Sequence, residues 1–114
     1  MKNDRVVVGM GSVQISHENI PVYMLATDQM GNVQFDADGA ALPKVAGGVK
    51  GCSYGRIVGD PVKVSKAALV GGIAGASFGI DYINLVPVFL DYYKTVGWFP
   101  QDHVHVVGEL GRES

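Results

Sequence analysis

The sequence predicts a mostly β domain, a small barrel or sandwich with one or two short helices, on three observations. Apolar and polar residues alternate through much of the first forty positions, clusters of Gly with Asp or Asn interrupt that alternation, and it resumes at His103-Val104-His105-Val106. Nine of the 16 glycines lie between Gly47 and Gly79, a density that would cost about 1 kcal/mol per residue inside a helix. Bends and bulges of a curled sheet suit it better. At 114 residues the chain reads as a single domain, residues 1–114.

The elements are expected in the following order. Val13 and Ile15 point to one face of an opening strand and Gln14 and Ser16 to the other, and Pro21-Val22-Tyr23-Met24-Leu25 forms a second extended run. The turn signals Asp28-Gln29-Met30-Gly31-Asn32 and Asp36-Ala37-Asp38-Gly39 flank the short run Asn32-Val33-Gln34-Phe35, a strand-turn-strand-turn meander. Arg56-Ile57-Val58 and Val62-Lys63-Val64 surround Gly59-Asp60-Pro61 and read as a hairpin. Ser65 to Ala74 competes best for helix, with Ser65 as its cap. The large apolar groups concentrate from Tyr82 to Phe99, where Pro87 starts a short helix ending at Gly97 or Leu85 to Tyr93 forms a strand followed by a turn. Both readings stand. No internal repeat, linker or low-complexity segment is expected beyond the glycine bias.

Composition narrows the function. A net charge of -2 exerts no general pull on nucleic acid, and the single Cys52 excludes an internal disulfide and cysteine-rich zinc modules. Charge is nevertheless segregated: Glu18, Asp28, Asp36 and Asp38 give residues 17–38 a block of -4, while Lys44, Lys50, Arg56, Lys63 and Lys66 against Asp60 give residues 44–66 a block of +4. Such blocks steer one copy onto another or pair within the domain. The basic block holds Tyr54 as its only aromatic, too few for stacking on single-stranded nucleic acid, so no nucleic acid partner is expected. Ala67 to Ile80 is the one membrane candidate, and its length falls short of the roughly 20 residues of a spanning helix. Val6 to Gly11 is too short for a signal core, so a cytoplasmic product is expected.

Four motifs bear on chemistry, and each has a plainer structural account. Val6-Val7-Val8-Gly9-Met10-Gly11 starts like a dinucleotide fingerprint, but Gln14 stands where the third glycine belongs. Gly51-Cys52-Ser53-Tyr54-Gly55 matches the Gly-x-Ser-x-Gly elbow, which needs a helix after the serine; strand residues follow here. Lys50 and Arg56 flank Cys52, although a lone small thiol in a sheet is usually packing. His103 and His105 share a strand face and could both ligate a metal, with His17 and Glu18 the only obvious further suppliers. Asp36-Ala37-Asp38-Gly39 is explained by a turn without calcium. No catalytic residue, cofactor or metal is assigned.

Gly97-Trp98-Phe99-Pro100-Gln101-Asp102-His103-Val104-His105-Val106 resembles the last two strands of SH3-type barrels. The resemblance implies a tight turn between two strands and, as an alternative function, a binding module for a peptide or small ligand. The opening tyrosine motif and acidic loop of that family are absent, so its proline-peptide groove is not implied. Pro21-Val22-Tyr23-Met24-Leu25, Val33-Gln34-Phe35-Asp36 and Ala41-Leu42-Pro43-Lys44-Val45-Ala46-Gly47 are similar in texture to small tailed-phage capsid-decoration and head-accessory proteins. That resemblance implies a virion component. The expected function is therefore a non-enzymatic structural or assembly protein, acting as a homo-oligomer or docked on a larger assembly, with Tyr92, Tyr93, Trp98 and Phe99 as contact residues. A small hydrolase using Ser53 or the histidine pair is the third reading. Positive mean hydropathy of +0.19 in so short a chain places any partner surface between Ala67 and Phe99.

Overall fold

The computed structural model describes residues 3–11, 14–70 and 81–107. Within them the strands are β1 (Arg5–Val8), β2 (Ile20–Leu25), β3 (Pro43–Val49), β4 (Ser53–Ile57), β5 (Val62–Ser65), β6 (Tyr82–Leu90), β7 (Thr95–Pro100) and β8 (Val104–Val106). One short helix, α1 (Lys66–Val70), follows Ser65, and a 3-10 turn, Gln101–His103, joins β7 to β8. The expected mostly β architecture is observed as one antiparallel sheet in the order β3-β2-β7-β6-β4-β1-β8, with β5 also paired to β6.

β6 organises the sheet. β7 runs along one side of it from Leu85↔Pro100 to Leu90↔Thr95, and the other side is shared by β5, from Val62↔Leu85 to Ser65↔Tyr82, and β4, from Gly55↔Leu90 to Ile57↔Val88. β4 and β5 thus run in the same direction, end to end, and Val58 to Pro61 is a break in one edge rather than the turn of a hairpin. Pro87 explains the break. The N–H and C=O of one strand residue point to the same side, and the Pro87 carbonyl accepts from Val58 N–H at 3.0 Å, so its missing donor faces the interruption, where no ladder bond is lost.

Two cores lie on opposite faces. Val86, Val88 and Leu90 join Val6, Val8, Ile20, Val22, Val49, Ile57 and Phe99 in the first, while Leu85 joins Tyr23, Leu25, Ala41 and Val64 in the second. Successive strand residues alternate faces, so the apolar run Leu85 to Leu90 is a strand buried on both sides. This decides between the two readings of the carboxyl third: it is strand, turn, strand. Val49 on an edge strand and Val6 and Val8 near the far edge share the first core, which requires the sheet to curl over on itself.

The opening strand differs from expectation. Val6, Val7 and Val8 form it, and residues 14–19 are neither helix nor strand; Val13 lies outside the described residues. The predicted meander, by contrast, is present between β2 and β3, held by single bridges Thr27↔Val33 and Phe35↔Ala41. Its two turns repeat each other, a feature not recognised from sequence because the period is so short. Asp28 Oδ1 accepts from the N–H groups of Met30 and Asn32, and Asp36 Oδ1 accepts from those of Asp38 and Ala40. Gly31 and Gly39 follow at φ +85° and +81°, where a side chain would strain the backbone.

Candidate functional site

A concave surface forms where two turns meet. Leaving β3, the chain reverses through Lys50 to Cys52; Gly51 N–H donates to the Glu18 carbonyl at 3.0 Å and Cys52 N–H to the Val8 carbonyl at 2.8 Å. Cys52 takes φ +64°, and its thiol sits 3.3 Å from the Ile15 carbonyl. The β6–β7 turn, Asp91 to Lys94, lies alongside: Asp91 N–H donates to the Tyr54 carbonyl at 3.0 Å, and the Lys50 N–H donates to the Tyr93 hydroxyl at 3.2 Å. Arg5 on β1 closes the arrangement through a 2.8 Å ion pair with Asp91.

The resulting open cleft, about 880 Å³, is lined among others by Arg5, His17, Lys50, Tyr54, Tyr92 and Tyr93. Tyr92 and Tyr93 stack edge to face at 5.2 Å, and Tyr92 and Tyr54 are 86% and 54% exposed. Arg56 stands directly across from Arg5 on the neighbouring strand, an arrangement of like charges that repels unless an anion lies near. Asp91 supplies one. The cleft therefore presents aromatic faces bordered by cations.

Of the four expected contact residues, only two reach this surface. Phe99 is fully buried in the first core, and Trp98 is half-buried against the second, across from Tyr23 on β2. Tyr92 and Tyr93 are exposed. Large apolar groups also reach solvent outside the expected 67–99 region: Met30, Phe35 and Val45 are 85%, 58% and 63% exposed. Sequence reasoning missed these because the meander and β3 alternate like half-buried strands, whereas β3 lies on the sheet edge and is exposed from Lys44 to Gly48.

The chemical motifs resolve into packing. A Cβ on Gly51 would fall on the Ser16 and Glu18 carbonyls, and one on Gly55 would fall on the Phe89 carbonyl, so both glycines of Gly-x-Ser-x-Gly serve close backbone approach. Ser53 begins β4, a strand, and its hydroxyl donates to the Lys50 carbonyl at 2.5 Å. Gly9 N–H donates to the His103 carbonyl at 2.9 Å, and the Gly9 carbonyl meets His105 Nε2 at 3.0 Å. His103 belongs to the 3-10 turn rather than to β8, so the expected same-face histidine strand is not formed. Its buried Nδ1 has no hydrogen-bond partner among the described residues, and His103 lines a second cleft of about 630 Å³ with Tyr23, Lys66, Leu69 and Asp102. Among the described residues no three His, Cys, Asp or Glu converge as metal ligands.

Lys63 and Asp38, one from each charge block, lie close together within the chain. Lys63 donates to the Asp38 carbonyl at 3.4 Å and lies 4.6 Å above the Tyr82 ring, and the Tyr82 hydroxyl donates to the Asp38 carboxylate at 3.2 Å. Backbone donors from Asn32 and Met30 hold the Asp28 carboxyl below its ordinary range, so it stays charged. Burial pushes the Tyr23 phenol up. No described helix is long and apolar enough to cross a membrane, and most of Ala67 to Ile80 lies outside the described residues. Compared with models of known families, with curated proteins and with solved structures, the chain matches none.

Proposed function

We propose that the protein is a non-enzymatic assembly component that works by self-association, of the kind a virion shell or head accessory requires. The observation that carries this reading is the distribution of apolar surface. A chain that closes two cores still leaves Met30, Phe35, Val45, Tyr54 and Tyr92 more than half exposed. Single exposed apolar residues are ordinary, but these gather on a meander, a sheet edge and a cleft, which is how docking surfaces are built. β3 adds an edge paired only to β2 among the described strands, exposed from Lys44 to Gly48.

Mass in solution tests the reading. Light scattering or sedimentation between about 1 and about 100 µM is expected to give a rising or fixed multiple of the chain mass. A monomer throughout would sink it. In that event the tyrosine-lined cleft favours the second reading, a binding module for a peptide or small ligand.

A further inference from the structure

We infer that copies join head to tail, the meander of residues 27–42 from one copy seating in the cleft between the Lys50–Tyr54 and Asp91–Lys94 turns of the next. The inference rests on the assembly reading and specifies its geometry. The two surfaces are complementary in both shape of charge and character. The outer meander exposes Met30, Val33 and Phe35, and its only ionisable groups are Asp28, Asp36 and Asp38. The cleft exposes Tyr54, Tyr92 and Tyr93 beside Arg5 and Lys50, with Arg56 next to Arg5. Its one lining carboxylate, Asp91, is already held by Arg5 at 2.8 Å. Methionine and phenylalanine pack well against tyrosine rings, and with Asp38 bonded to Tyr82 and Arg5 paired with Asp91 inside the chain, the charges left to attract one another are Asp28 and Asp36 on the meander and Lys50 and Arg56 at the cleft.

Topology makes the contact one between copies. The meander joins the sheet where Ala41 bridges Val64, which in turn opposes Ile83 on β6, whereas the cleft forms beyond Leu90, at the other end of the same strand. Seven extended residues separate Ile83 from Leu90, about 23 Å at 3.3 Å each. The meander therefore lies at the far end of β6 from its own cleft and does not seat in it. Joined head to tail, with each meander seated in the next copy's cleft and no reciprocal contact across a two-fold axis, the interface is heterologous and closes into a ring or continues as a filament.

Met30 and Tyr92 are each more than four-fifths exposed, so Met30→Ser and Tyr92→Ser test the contact with little demand on folding. Each variant alone is expected to dissociate, its self-association weakened about tenfold or more. Mixed in equal amounts, they retain one intact meander and one intact cleft between them, and are expected to form a 1:1 pair that grows no further. Phe35→Ser and Lys50→Ser, mixed in the same way, repeat the test with independent side chains. Wild-type-like assembly of both single variants overturns the inference, as does a mixture that remains monomeric. Loss of assembly in Val45→Lys alone would overturn it in favour of two-fold pairing through β3. These outcomes presuppose that the unmodified protein assembles; if it is monomeric at every concentration, the assembly reading itself has failed.

Discussion

Gly55 sets how closely β4 approaches β6. The register places it opposite Leu90, and any Cβ there would overlap the Phe89 carbonyl and crowd Val88 Cγ1. Overpacking at a backbone contact has no flexible side chain to yield, so Gly55→Ala is expected to destabilise the fold by about 1–3 kcal/mol. A lowered urea midpoint with an unchanged slope would register this, and a midpoint equal to the parent's would contradict the packing account. The turn aspartates were readable from sequence because an Asx turn needs only a carboxylate and a glycine at short range. Gly51 and Gly55 were not, since their constraint comes from Ser16, Glu18 and Phe89, distant in the chain.

At the scale of elements, β6 is the most protected part of the described chain and the meander the least. Leu85 to Val88 is buried on both faces and bordered by β7 along one side and by the ends of β5 and β4 along the other, while residues 27–35 are exposed and cross-linked only by isolated bridges and turn bonds. Hydrogen exchange is expected to rank them accordingly: amides of Leu85 to Val88 that donate to the ladder should approach the global unfolding limit, and amides from Thr27 to Phe35 should exchange orders of magnitude faster. Equal protection of the two segments would mean that the meander is held by contacts not present in one chain. The misread hairpin belongs to this scale. Gly-Asp-Pro between two β-branched runs is ordinary hairpin chemistry, yet β6 is long enough for both runs to pair with it in succession, so the turn became a break in one continuous edge.

For the whole molecule, the separation of charge along the sequence turns into a separation in space that is only partly neutralised. Arg5 pairs with Asp91 and the Asp38 carboxylate accepts from the Tyr82 hydroxyl within the chain, but Lys50 and Arg56 remain at the cleft end and Asp28 at the meander end. If these ends attract one another between copies, raising NaCl from about 50 mM to about 500 mM should weaken association several-fold, because the screening length falls to a few ångströms. Sedimentation at the two salt concentrations checks it. Association that strengthens with salt would assign the contact to apolar burial alone.

Sequence by itself determined the class of fold, the two Asp-Gly turns and the run of β2, because each depends on local backbone preference or on a period of two, while the strand-turn-strand ending around Pro100 is what the resemblance to SH3-type barrels implied. It also located the apolar weight of the chain correctly in β6 and β7. Tertiary structure alone decided that this weight is core: Leu85 to Leu90 face inward on both sides of a curled sheet, and Phe99 goes with them. The exposed residues that carry the functional argument, Met30, Phe35, Tyr54 and Tyr92, are far apart in sequence and acquire their meaning from which end of β6 each occupies. Local periodicity carries no record of that placement, since it follows from long-range pairing.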